Sequence, residues 1–438
     1  MFVDFIRNAI EGIIVGIIFL PIVVVIHELG HLLSGKLSGY QFITLRLFLF
    51  QWARDKDGKI KFTKANSLFG VGGQCLMNPT GEEKDFRFKL YNLGGSLANI
   101  IAGILFIAPL FFIGNTFTRW LFIGGAVSIY VALATLIPMA SGGLPNDGKN
   151  VKEASKSEDA KNGYYRMLKA NGEMAFGKHL SEFDPDFFNY NEEVDVNNFF
   201  VAQAILLHAA YLDEKEDYKG SYQKLLLIED AKVPSVYKSQ ILLALLFNEL
   251  IHQSTDEALE RAKERWEQAQ DDKEIRSIVL TKHPGFMIPY AAKVAFIDHD
   301  PRGARELISE AEQHLPALQN PGIEHIAKLM IEQLKERLPV DEGREHSYPS
   351  EEIKIEEIPA ENLQEAATEA PVESLQETIG SVAQEDLQEA TEEVLAKIFP
   401  EITEEAPIED ITETTSEDKP KVNNNSYDLL MEQLRKRR

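Results

Sequence analysis

His27, Glu28 and His31 are the only ionisable residues in the stretch from 12 to 35, GIIVGIIFLPIVVVIHELGHLLSG. The pattern is HExxH. At helical spacing the two histidines lie one turn apart on one face and offer two nitrogen ligands to Zn²⁺. Glu28 stands where a general base toward a metal-activated water is needed. Chance alone puts these five residues into many soluble helices, so the setting gives the pattern its weight. An apolar run of about 20 residues is long enough to cross a bilayer. Ionisable groups inside such a run cost roughly 3 kcal/mol each unless a function or a partner retains them. The run is too long and too poor in small residues at its end for a cleaved signal peptide, and is read as a retained span.

A zinc site of this kind needs a third protein ligand, and the topology indicates where to seek it. Two further uncharged runs, 90–114 and 120–144, have spanning length, which with 10–35 makes three crossings. The connection from 36 to 89 carries ten Lys/Arg against five Asp/Glu, so the positive-inside rule puts it, and everything after about Ser141, in the cytoplasm. The first and third spans then run in the same direction and end on the same side. Asp147, just beyond the third run, is the acidic residue delivered closest to the histidines. An Asp-Gly pair after a helix is also an ordinary turn, and the residues alone leave ligand and turn open.

The connection has strand character. Residues 42–52 (FITLRLFLFQW) are rich in β-branched and aromatic side chains, and 59–62 can pair with them across Asp55-Lys56-Asp57-Gly58. The region 40–78 is expected to hold a β-hairpin that is either membrane-associated or a small soluble unit. The glycines at 70–73 and 142–143 suggest a water path from the cytoplasm.

HELGH in the first span, Gly95-Ser96-Leu97-Ala98-Asn99 in the second, and Leu136-Ile137-Pro138 followed by Asp147-Gly148 after the third together resemble the site-2 protease family of intramembrane zinc metalloproteases. The resemblance covers roughly residues 10–150. It implies one Zn²⁺ per chain held by His27, His31 and Asp147, Glu28 as general base, and Asn99 lining the cleft toward substrate. It implies a membrane protein or signal-peptide-like substrate, cut near the cytoplasmic face. A multi-pass location is expected, in a bacterial cell membrane with the C-terminal domain cytoplasmic. Three features depart from the family pattern: Thr135 stands where Asn is common, Gly95-Ser96 where Gly-Pro is common, and the insertion from Met139 to Pro145 is longer than in the shortest family versions. None of these removes a ligand.

Beyond Lys149 the composition turns soluble. Residues 198–213, 218–228, 236–252, 256–270, 287–297, 301–314 and 323–338 carry apolar positions at helical spacing. They predict an all-α cytoplasmic domain over 151–339, resembling tetratricopeptide-type repeats, and either a site for a cytoplasmic protein partner or an ordinary helical domain. The histidines scattered through it (His179, His208, His252, His283, His299, His314, His325 and His346) form no ligand-spaced cluster. The formal charge of −24 is concentrated in 341–420, which hold 25 Asp/Glu against 4 Lys/Arg. That acidity argues against a nucleic-acid partner. It predicts a disordered acidic tail over 340–425, followed at 426–438 by a short basic amphipathic helix suited to a lipid surface. The single cysteine, Cys75, excludes an intramolecular disulfide.

The fold class expected is a polytopic α-helical membrane protein: a three-helix metalloprotease core with a membrane-associated β-hairpin, an all-α domain and a disordered tail. The rival reading is a catalytically inactive, membrane-anchored scaffold that presents a helical protein-binding domain.

Overall fold

Helix α1 (Phe2–Leu37) passes unbroken through Pro21. It is followed by a four-stranded sheet, then α2 (Phe88–Ile107), α3 (Thr116–Leu136) and a series of shorter helices. The computed structural model describes residues 2–55, 57–64, 72–141, 144–190 and 193–338, all in the unit Met1–Tyr348. The acidic segment and basic end expected over 340–438 lie outside the described residues, as do Gly70, Gly142 and Gly143.

Among the described residues three helices are long and apolar enough to cross a membrane: Phe5–Leu37, Glu83–Phe111 and Thr116–Leu136. α2 runs antiparallel to α1, with Gly94 beside Gly30 and Phe106 edge-on to Phe19. α3 returns parallel to α1, and the Trp120 indole donates to Glu11 at 2.6 Å. A Cβ on Gly30 would fall 2.5 Å from the Gly94 carbonyl oxygen, and one on Gly125 2.7 Å from that of Gly103. Such backbone contact is how helices associate where no hydrophobic difference separates them from lipid. The third helix ends at Leu136, not at 144 as composition suggests. Residues 137–144 remain apolar, but Pro138 has no N–H with which to continue the helical ladder. The chain instead forms a two-strand turn, β5 (Ala140–Ser141) with β6 (Leu144–Pro145), before α4 (Asp147–Ala154).

The stretch 42–52 is not one strand. Phe48, at φ 54°, breaks it into β1 (Tyr40–Leu47) and β2 (Phe50–Arg54). β2 pairs with β3 (Ile60–Lys64), matching Trp52 to Phe62, and β4 (Gly73–Pro79) pairs with β1, matching Leu45 to Cys75. The order is β3-β2-β1-β4. The sheet doubles back along α1, so that Gly73 abuts Glu28 and Gly72 abuts Val24. At about 1.5 Å per residue, that reaches some 20 Å up the helix from its end at Leu37.

The expected helices appear as α6 (Phe199–Glu214), α7 (Tyr218–Leu226), α8 (Ser235–Phe247) continuing into a π-helical turn over Asn248–Gln253, α9 (Asp256–Ala269), α11 (Pro284–Phe296), α12 (Pro301–His314) and α13 (Pro321–Arg337). Three more were not anticipated: α4, α5 (Glu158–Ala175) and α10 (Lys273–Val279). α4 runs through the boundary expected at 150/151. α5 docks on the core, with the Tyr164 hydroxyl donating to Asn92 Oδ1 at 3.0 Å and the Asn78 amide to Glu173 at 3.2 Å. The helical region thus rests directly on β4 and α2.

Candidate metal centre

HExxH sits on α1 where that helix is covered by α2 on one side and by β4 on another. His27, Glu28 and His31 are each 7% exposed. α4 brings in Asp147. His27 Nε2, His31 Nε2 and Asp147 Oδ2 form a triangle whose three sides are all 3.2 Å. Three corners of a tetrahedron with metal–ligand bonds of about 2.0 Å lie about 3.3 Å apart, so the donors are spaced as ligands of one ion. Among the described residues this is the cluster of His, Cys, Asp or Glu that could hold a metal. Burial works to raise the Asp147 carboxyl. The neighbouring imidazoles outweigh it and hold the group below the ordinary carboxylate range, in the anionic form that ligates.

The second nitrogen of each ring is also placed. His31 Nδ1 lies 2.9 Å from the Tyr91 carbonyl. That bond requires Nδ1–H and leaves a lone pair on Nε2, the arrangement found behind ligating histidines. His27 Nδ1 lies 3.3 Å from the Asn99 side-chain nitrogen, and the buried Asn99 Oδ1 has no hydrogen-bond partner. The two ends of an amide are isosteric. Reversing it lets the orphaned oxygen accept from His27 Nδ1–H, and His27 then also turns a lone pair inward. Gly95 keeps the space in front open: a Cβ there would stand 2.6 Å from His31 Nε2 and 2.7 Å from His27 Nε2. On donor chemistry, spacing and clearance, these residues fit a divalent metal ion.

Glu28 is fixed from β4, where the Cys75 backbone amide donates to its carboxylate and Gly73 makes room, since a Cβ there would meet Oε1 at 2.7 Å. Tyr91 ties the two halves together. Its carbonyl also accepts from Ser34 Oγ at 3.3 Å, and its hydroxyl donates to the Cys75 carbonyl at 2.6 Å. The outer edge of β4 at Cys75 therefore faces the site.

The structure brings together His27, Glu28, His31 and Asp147, with Asn99 directly behind the His27 ring. Asp147 is the first residue of α4 and not a residue of a plain turn. Sequence reasoning passed over Tyr91 and Cys75, which act largely through backbone atoms that any residue carries. It also assigned nothing to Asn146. A signal for that residue existed, because Asn before Asp-Gly is a common helix cap. The remaining histidines stay scattered; His179 and His325 stack at 3.8 Å, and His346 lies outside the described residues. Comparison with family models, with curated proteins and with solved structures returns no match.

Proposed function

We propose that the chain is an integral membrane zinc endopeptidase of the site-2 protease type. In this reading His27, His31 and Asp147 bind one zinc per chain, and Glu28 is the general base. The substrates are membrane-spanning or membrane-tethered, signal-peptide-like segments included, and are cut near the cytoplasmic face. The observation that carries the reading is the 3.2 Å triangle of donors with a carboxylate beside it, set among helices apolar enough to span a bilayer.

A bound zinc ion supplies Lewis acidity and lowers the pKa of water at the site. Glu28 takes the proton of the attacking water and passes it to the leaving amine nitrogen. The Cys75 amide aims the Glu28 carboxylate, and Tyr91 and Asn99 hold the imidazoles in the tautomer that ligates. Contact between Asn99 and substrate requires its amide to leave His27. A helical substrate hides its carbonyls in its own hydrogen bonds and has to unwind. β4 is the edge of its sheet, and an extended segment laid along it passes the base. The helical domain, cytoplasmic in this reading, recruits or gates substrates, because an apolar strand read in a cleft carries little sequence information. The test is metal content: purified protein should hold one zinc per chain, and Asp147→Ala should fall well below one, since two histidines alone hold the ion poorly. Full occupancy in that variant would remove Asp147 from the site.

A further inference from the structure

Pro138 creates a vacancy in the hydrogen bonding of α3 that a residue eight positions further on fills. In an uninterrupted helix the Ala134 carbonyl would accept from the N–H of residue 138, and proline has none. The Asn146 side-chain nitrogen donates to that carbonyl at 3.0 Å and to the Ile137 carbonyl at 2.7 Å. Its oxygen accepts from the backbone N–H of Met139 at 3.1 Å and of Lys149 at 3.0 Å. Its own backbone N–H donates to the Met139 carbonyl at 3.0 Å. One side chain therefore closes the end of α3, the turn after it and the first turn of α4. Gly148 seals the junction: a Cβ there would stand 3.0 Å from the Thr135 carbonyl oxygen and closer still to the Leu136 carbonyl.

We infer that Asn146 is the positioning residue for the third metal ligand. It holds Asp147 against His27 and His31 by tying α3 to α4, and that tie lies in its two donated bonds, not in its capping oxygen. The inference rests on the zinc reading above. An ordinary N-cap would need only the oxygen, and serine serves that purpose about as well as asparagine. A helix stop would need only that the Ala134 carbonyl find a donor. Neither accounts for an amide that spans from Ala134 to Lys149.

Three variants separate these roles. Asn146→Ser keeps a capping oxygen for the Lys149 N–H and loses both donated bonds. Asn146→Ser combined with Pro138→Ala returns an N–H to the Ala134 carbonyl from within the helix, which removes the folding penalty without restoring the tie. Asp147→Ala removes the ligand itself. The readouts are zinc affinity by chelator competition on the full-length protein in detergent, and the visible absorption of the Co²⁺-loaded protein, whose band intensity reports tetrahedral coordination. Partners of metal ligands are worth about 10- to 100-fold in affinity. Both Asn146→Ser proteins are expected to lose at least about tenfold, with weakened cobalt bands and wild-type helix content. Affinity within about twofold of wild type in either would overturn the inference and make Asn146 a cap or a helix stop. If wild-type protein itself binds no more tightly than Asp147→Ala, the zinc reading fails instead, and the two failures are distinguishable.

Discussion

The hydroxyls of Ser96 and Thr135 meet at 2.8 Å across the α2–α3 interface. These are two of the positions at which the chain departs from the site-2 protease pattern that its motifs resemble. Thr135 also donates back to the carbonyls of Val131 and Ala132, and Ser96 is fully buried. An interhelical hydroxyl pair thus stands at these positions. A double-mutant cycle of Ser96→Ala and Thr135→Val is expected to give a coupling of about 0.6 kcal/mol in detergent unfolding, the usual size for such pairs between membrane helices. Strict additivity would mean that the hydroxyls act separately.

Two glycines on opposite sides of the site make opposite predictions. A methyl group on Gly95 intrudes on both ligand nitrogens, so Gly95→Ala should lose zinc. One on Gly73 meets the Glu28 carboxylate and no ligand, so Gly73→Ala should keep zinc while cleavage falls by roughly 100-fold or more, the scale of a displaced general base. Zinc per chain and turnover are measured on the same samples. Equal effects on both quantities in both variants would contradict this division of roles.

Helix α4, which carries Asp147, is held at both ends. Asn146 fixes its start, and at its other end the buried Asn198, which caps α6, donates to the Glu153 carbonyl at 3.0 Å. A chain stopped after Asn150 cuts α4 after its first turn, so it should insert yet lose metal. A chain stopped after Leu338 should keep both zinc and cleavage. Full zinc in the shorter chain would show that the helical region does not support the centre.

How much of this is written locally in the sequence depends on how far apart the partners lie. His27, Glu28 and His31 share one helix, so spacing alone shows their common face. Asp147 is 120 residues from His27, and only the count of crossings brings it near. Asn146 is hardest to see, because its donated bonds run to backbone carbonyls at the end of another helix, one of them freed by the proline just beyond it. The apolar run past Pro138 led composition to extend α3 by eight residues, since hydropathy does not register a missing N–H. α5 was overlooked for a related reason: glycines at 163 and 172 interrupt its pattern, and they are the points where the Phe200 backbone and the Asn78 side chain approach it.

Buried titratable groups give the helical domain a pH dependence. Burial pushes His208 and His252 down to about 4, and lifts Asp213, with Asp217 nearby, to about 7. Between about pH 4 and the unfolded histidine value of about 6.5, the unfolded chain binds up to two more protons at the histidines and one fewer at Asp213. Stability should therefore rise with pH at the slope of about one group, and level off toward pH 7 as the unfolded histidines lose their protons and Asp213 ionises. Asp213→Asn removes the opposing contribution and should steepen the rise to that of two groups. The midpoint of thermal loss of helical signal, followed from pH 4 to 7, measures it; an unchanged slope in Asp213→Asn would contradict the assignment.

The most direct test of the zinc endopeptidase reading is cleavage of a model membrane-spanning peptide by zinc-loaded wild type and Glu28→Gln side by side. The substitution removes the base and leaves His27, His31 and Asp147 untouched. Wild type is expected to cut the peptide, and Glu28→Gln to hold one zinc per chain with cleavage down by about 100-fold or more. Equal cleavage by the two proteins, or none by zinc-loaded wild type, would contradict it.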